Sequence, residues 1–89
     1  MKVEDIKEHL AEINEEAILY DDYDEALIGI GHRFGMDGIA AYDLDKVLKE
    51  LEKILGPECT EEDVIEYFDY NVIGTWAGEH TPIFIEVMK

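Results

Sequence analysis

Seven polar or aromatic side chains lie near the ends of predicted elements, where chemistry is usually carried. They are His32, Tyr42, Asp43, Asn71, Trp76, Glu79 and His80. A histidine beside a carboxylate can transfer protons, so His32 and Glu79 or His80 form a candidate pair if the last strand lies beside the first. In the competing structural interpretation, Asp43 caps a helix and Tyr42 fills an edge of the core. The structural interpretation is favoured, and no catalytic residue is assigned.

A second group with possible chemistry is a run of carboxylates between the first predicted helix and the first predicted strand. It consists of Asp21, Asp22, Asp24 and Glu25. Clustered carboxylates suit Ca²⁺, but an EF-hand loop needs a glycine at its bend and a late Glu. The glycine is missing and an apolar strand follows, so we predict no metal site and no cofactor. Together with Trp76, Glu79 and His80, these carboxylates form the predicted interaction surface.

Nucleophilic and nucleotide chemistry find little support in the sequence. The chain contains no serine, and its single cysteine, Cys59, has no histidine beside it in sequence. The run Gly29–Phe34 begins like a dinucleotide-binding fingerprint, but Phe34 stands where the third glycine is needed. Glycines on one face of a strand indicate close packing or a bulge. A ligand-binding module or small enzyme using strand 27–35 and loop 75–81 stays an alternative.

Charge is the strongest global feature of these 89 residues, which we expect to form one domain, 1–89. The formal net charge is −16, and no Lys or Arg lies between Lys7 and Arg33 or between Lys53 and Lys89. Nucleic-acid backbones and anionic membranes both require cationic contacts, so direct binding to either is disfavoured. A protein partner with a basic surface is the predicted alternative to a merely solvated acidic exterior.

The predicted location is the cytoplasm. One cysteine permits no intrachain disulfide, which is typical of a reducing compartment. The N-terminal residues are acidic and have no apolar segment, so we expect no signal peptide, and no apolar run approaches the length of a membrane span.

Periodicity predicts the elements that position these residues. Apolar steps of three and four indicate helices over 2–17 and 44–55, the second with Asp43 as its N-cap. A capping box at Thr60–Asp63 opens a third helix. Two short strands surround the turn at Gly35–Gly38, and a last strand covers 83–87.

The expected fold is therefore α+β, in the order helix, strand, strand, helix, helix, strand. We expect a three-stranded, mostly antiparallel sheet with the helices packed on one face. In the last strand, Ile83, Ile85 and Val87 are predicted to face the helices, with Phe84 and Glu86 opposite. As an apolar edge, Ile83–Val87 is also a predicted site of homo-oligomer formation.

Most of residues 17–85 resembles a group of small proteins common in tailed-phage and prophage genomes. The resemblance is carried by Asp24-Glu25-Ala26 leading to Gly29, by Ala41-Tyr42-Asp43-x-Asp45-Lys46, by Glu61-Glu62-Asp63 with Glu66-Tyr67-Phe68-x-Tyr70-Asn71, and by Gly74-x-Trp76-x-Gly78-Glu79-x-Thr81-Pro82-Ile83-Phe84. That group has no assigned activity, so the resemblance implies no catalytic residues. It implies a phage-type accessory protein in a prokaryotic cell. The acidic charge suggests one version of this role, in which the surface imitates nucleic acid and inhibits a host protein. The longer acidic N-terminal helix departs from the group.

Overall fold

A computed structural model describes residues 2–71 and 78–88. Its elements follow one another as helix, strand, strand, helix, helix, strand, which confirms the predicted order and the α+β class. A 3₁₀ turn, here called the acidic turn, precedes the first strand. The bounds are α1 Val3–Ile13, the acidic turn Asp21–Ala26, β1 Leu27–Gly31, β2 Ile39–Asp43, α2 Leu44–Leu55, α3 Glu61–Asn71 and β3 Ile83–Ile85.

The three strands form one mixed sheet in the order β1-β2-β3. β1 and β2 are antiparallel, whereas β2 and β3 are parallel, with Tyr42 opposite Phe84. The third strand thus joins the first two in one sheet, as predicted. The sheet is mixed and not mostly antiparallel as expected, because β3 lies beside β2 and runs parallel to it. The condition for bringing His32 against Glu79 or His80, a third strand beside the first, is not met.

The sequence left a bulge or close packing open for the glycines of β1, and the structure has a bulge before Gly29 and close packing at Gly31. The pairing register shifts between Leu27 and Gly29, which is a bulge of the kind that a glycine permits. At Gly31, an added Cβ atom would lie 2.7 Å from Cδ1 of Ile83. The Ile83 side chain therefore reaches across β2 and fills the space that the missing side chain leaves.

The predicted facing of the last strand is wrong. Phe84 packs against the core, and its ring lies 5.8 Å from that of Tyr42 and 5.0 Å from that of Phe68, between centroids. Ile83 and Ile85 lie on the opposite face and are partly exposed. The reason is the register: residues opposite each other share a face, and Tyr42 points into the core. In an Ile-Phe-Ile strand, the side chains on both faces are apolar, so the sequence pattern does not determine which face packs against the core.

Helix α1 ends earlier than predicted, at Ile13. The backbone N–H of Asn14 still bonds to the carbonyl of Leu10, but Asn14 leaves helical geometry and donates its side-chain amide to the carbonyl of Gly38. Asn and related residues offer the backbone such alternatives to helix. None of the described helices is long and apolar enough to cross a membrane.

Helices α2 and α3 begin as predicted. Asp43 caps α2 by accepting a bond from the N–H of Lys46, and Gly56 ends it with a positive φ of 96°. Thr60 and Asp63 exchange the two bonds of a capping box at the start of α3. The predicted end of the third helix at Gly74 lies outside the described residues.

All three helices cover the same face of the sheet. The core joins buried side chains of each helix to Leu27, Ala40 and Tyr42 of the sheet. Tyr42 is fully buried on the central strand, so its predicted position at an edge of the core is wrong. The side chain of Tyr42 is buried because the helices cover this face of the sheet and the rings of Tyr20 and Phe84 pack against it.

We predict that Gly38→Ala lowers the free energy of unfolding by about 1–3 kcal/mol. An added Cβ atom would lie 2.8 Å from Cδ1 of Ile13, 2.9 Å from Cγ2 of Ile30 and 3.1 Å from Cε1 of His32. The side chains of Ile13 and His32 are exposed and can turn away, but Cγ2 of Ile30 is attached at the β-carbon and cannot move without a change of rotamer or backbone, so the clash with Ile30 carries the cost. Urea denaturation measures the change.

Gly29→Ala is the matched control for this substitution. No atom lies within 4 Å of an added Cβ atom at Gly29, so its effect stays within about 0.5 kcal/mol. Equal losses in the two variants would contradict the packing at Gly38.

Candidate functional site

The acidic turn has an inner and an outer side. Tyr23 and Ala26 are buried, and the turn packs against α2. Side chains three residues apart share a face in 3₁₀ geometry, which leaves Asp21, Asp22 and Glu25 exposed. The acidic turn is therefore ordered, and its two buried residues fix it.

Asp24 differs from the other carboxylates of the turn. Its Oδ2 atom lies 2.8 Å from Nζ of Lys7 on α1, and both side chains are partly buried. Its Oδ1 atom is buried without a hydrogen-bond partner among the described residues. Asp24 thus connects the turn to α1, while its neighbours face outward.

A cavity of about 390 Å³ lies beside the turn. Its lining combines aromatic rings, two carboxylates and an amide: Leu19, Tyr20, Asp21, Asp22, Tyr23, Tyr67 and Asn71. Tyr23 is buried, whereas Tyr67 on α3 is 39% exposed. The cavity therefore offers aromatic surface together with negative charge.

The pKa values of two buried tyrosines respond to the burial and the negative charge in this region. The pKa of Tyr23 is raised, first by burial and then by Coulombic interaction with Tyr67, Asp22 and Tyr20. The pKa of Tyr42 is also raised, mainly by burial, although the hydrogen bond from Tyr20 lowers it in part. Asp24 and Asp21 add to the rise at Tyr42. The carboxylates of the turn therefore make this region negative.

A second polar cluster surrounds His80. Its Nε2 atom lies 2.9 Å from Oε2 of Glu16, and its Nδ1 atom lies 3.0 Å from Nδ2 of Asn14. Because Nδ2 of an amide only donates, Nδ1 of the ring accepts, and the proton sits on Nε2, which donates to Glu16. Glu79 lies farther off, 3.9 Å from Nε2.

The contacts of the His80 cluster connect separate segments of the fold. Asn14 is buried and also donates to the carbonyl of Gly38, while the carbonyl of His80 accepts from the N–H of Ile18. Both ring nitrogens are occupied, and Glu16 is 73% exposed in its side chain. The cluster fastens the approach to β3 onto the end of α1, and it brings together an imidazole and a carboxylate that the sequence did not pair.

The predicted interaction residues thus fall into two groups at opposite ends of segment 14–20. Asp21, Asp22, Asp24 and Glu25 belong to the acidic turn, and Glu79 and His80 lie at the Asn14 end. Trp76 lies outside the described residues.

The sequence analysis did not identify the aromatic residues Tyr20, Tyr23 and Tyr67 as the lining of a cavity. The spacing of Tyr20, Tyr23 and Ala26 at steps of three was the signal for an inward face. Nothing in the sequence places Tyr67 of α3 beside the acidic turn.

Comparison with protein-family models, with curated proteins and with solved structures found no match to this chain. The resemblance to the phage-type group therefore stays a prediction. Among residues 2–71 and 78–88, no group of His, Cys, Asp and Glu side chains is arranged to hold a metal ion.

We predict that the fold loses stability above about pH 10 through its buried tyrosines. Tyrosine is neutral when protonated, so a pKa raised by folding means that the folded state holds the proton more tightly. This contribution is complete below the unfolded pKa and is lost as the pH rises through the folded pKa. Urea denaturation at a series of pH values measures the loss.

Tyr42→Phe tests the contribution of the most buried phenol. The variant leaves the N–H of Tyr20 without the acceptor that lies 2.8 Å away, which costs about 1–3 kcal/mol near neutral pH. Its further loss at alkaline pH is smaller than that of the wild type. Tyr70→Phe, at an exposed tyrosine, is the control and leaves the alkaline profile unchanged. An alkaline profile that Tyr42→Phe also leaves unchanged would count against this assignment.

We predict that Asn14→Ala destabilises the fold by about 1–3 kcal/mol. The substitution deprives the Gly38 carbonyl and the His80 ring of a donor and the N–H of Glu16 of an acceptor. Glu15→Ala, at the exposed neighbouring position, is the control. Thermal or urea unfolding measures the stability of both variants. A loss of stability no larger than that of Glu15→Ala would show that the Asn14 contacts do not stabilise the fold.

Proposed function

We propose that this protein acts by binding a protein partner that has a basic surface, and that the acidic turn is the centre of the contact. The resemblance to phage-type accessory proteins supports this role. The observation that carries the proposal is the exposure of almost all of the negative charge.

The chain has 23 Asp and Glu residues, and all of them lie in the described part of the structure. Only Asp24, Asp43 and Glu50 are partly buried; the other carboxylate residues are exposed. Within the described residues, lysine ion pairs engage Asp24 and Glu50. Most of the carboxylates are thus left to interact with solvent or with a partner, and complementary charge both steers and selects partners.

The distribution of Lys and Arg along the chain favours the acidic turn as the site that contacts a basic partner. Three of the lysines lie on α2, whereas α3 and the acidic turn contain neither Lys nor Arg. The backbone of the turn is also ordered, because Tyr23 and Ala26 are buried and Lys7 forms an ion pair with Asp24. Preorganised groups lose less conformational entropy on binding than mobile ones.

The alternative, a ligand-binding module built on strand 27–35 and loop 75–81, stays a prediction. At Gly31, the Ile83 side chain already occupies the space beside the glycine. Positions 75–77 of the loop lie outside the described residues.

Two triple variants with equal charge change test the proposal. The first, Asp21→Asn with Asp22→Asn and Glu25→Gln, neutralises the outer side of the acidic turn. The matched control neutralises exposed residues of α3: Glu62→Gln, Glu66→Gln and Asp69→Asn. Immobilised wild type and variants are exposed to prokaryotic cell lysate at low and high salt, and retained proteins are identified by mass spectrometry.

We expect the wild type and the α3 variant to retain the same basic protein at low salt, and the variant of the acidic turn to lose it. High salt releases it because exposed charges are screened. Retention of the partner that does not change with salt concentration, or equal loss of the partner from both variants, would overturn the proposal.

A further inference from the structure

We infer that the cavity beside the acidic turn binds the guanidinium group of an arginine side chain. This inference rests on the proposed function only in assigning that arginine to the protein partner. The cavity and its lining are features of this chain alone.

The size and position of the cavity suit one inserted side chain. At about 390 Å³, it lies at the lower end of the volumes that small-molecule sites occupy. It is formed where segment 19–23 meets the last two turns of α3. Both walls belong to ordered elements, because Tyr23 is buried on one side and Phe68, next to Tyr67, is buried on the other.

The charged groups of the cavity accept hydrogen bonds and donate none. Asp21 and Asp22 are carboxylates, and neither forms an ion pair with Lys or Arg within the described residues. Asn71 donates one N–H of Nδ2 to the carbonyl of Tyr67, and its side-chain carbonyl oxygen can accept from a ligand. Guanidinium carries five N–H donors and no acceptor, so this set of groups complements it.

The aromatic walls favour guanidinium over other cations. Its planar, weakly hydrated face stacks on aromatic rings, whereas the compact ammonium of lysine keeps its water more strongly. Tyr67 presents a partly exposed ring at the cavity, and Tyr20 and Tyr23 lie edge to face with centroids 6.1 Å apart. Apolar and anionic ligands are disfavoured, because each would cover the two carboxylates without neutralising them.

The test is a titration of ¹⁵N-labelled full-length protein with N-acetyl-arginine amide, followed by NMR. We expect saturable shifts at Asp21, Asp22, Tyr67 and Asn71. N-acetyl-lysine amide, at equal charge, binds several-fold more weakly. Shifts that do not saturate, or equal affinity for the two amides, would overturn the arginine site.

Two pairs of variants separate the cavity from general charge attraction. Tyr67→Leu weakens binding about 3–10-fold by removing the ring, whereas Tyr70→Leu, at an exposed tyrosine on the same helix, changes it less than about twofold. Asp21→Asn with Asp22→Asn weakens binding about 10-fold or more. Glu8→Gln with Glu12→Gln, on exposed positions of α1, makes the same charge change with little effect. Equal effects within either pair would contradict the inference.

The two proposals fail in different ways. If the lysate retains no partner but the arginine amide still titrates the cavity, the proposed function fails and the site stands. If a basic partner is retained and Tyr67→Leu retains it equally well, the acidic surface binds but the cavity takes no arginine.

Discussion

The hydroxyl of Tyr42, on the central strand, accepts a hydrogen bond from the backbone N–H of Tyr20 at 2.8 Å. The position of the acidic turn depends on this contact, because Tyr20 immediately precedes the turn and belongs to the cavity wall. Tyr42 is itself held by packing against Phe84 and by pairing on both sides. A fully buried side chain of the sheet thus fixes a surface element that carries charge.

Negative charge imposes the second constraint. Carboxylates remain in water unless they are paired, because burying an unpaired charge is costly. The fold satisfies this requirement by giving each helix one apolar stripe and by using Tyr23 and Ala26 as the inward residues of the acidic turn. The consequence is a small core surrounded by carboxylates, with the aromatic cavity at the point where the turn meets α3.

The sequence predicts the elements well and their contacts poorly. The caps at Asp43 and at Thr60–Asp63 are local chemistry, so the starts of α2 and α3 followed from the residues themselves. The facing of β3 did not follow, because Ile83, Phe84 and Ile85 are all apolar and the partner strand decides between them. The contact of His80 with Asn14 and Glu16 joins residues more than 60 positions apart. No local pattern encodes such a contact, and the same is true of the meeting of Tyr67 with the acidic turn.

Amide hydrogen exchange at Tyr20 tests most directly whether the core fixes the acidic turn. The account predicts that the Tyr20 amide exchanges as slowly as the amides of β2, because it opens only when Tyr42 leaves the core. Exchange as fast as at the exposed turn residues Phe34 and Gly35 would contradict it, since the acidic turn would then move independently of the sheet.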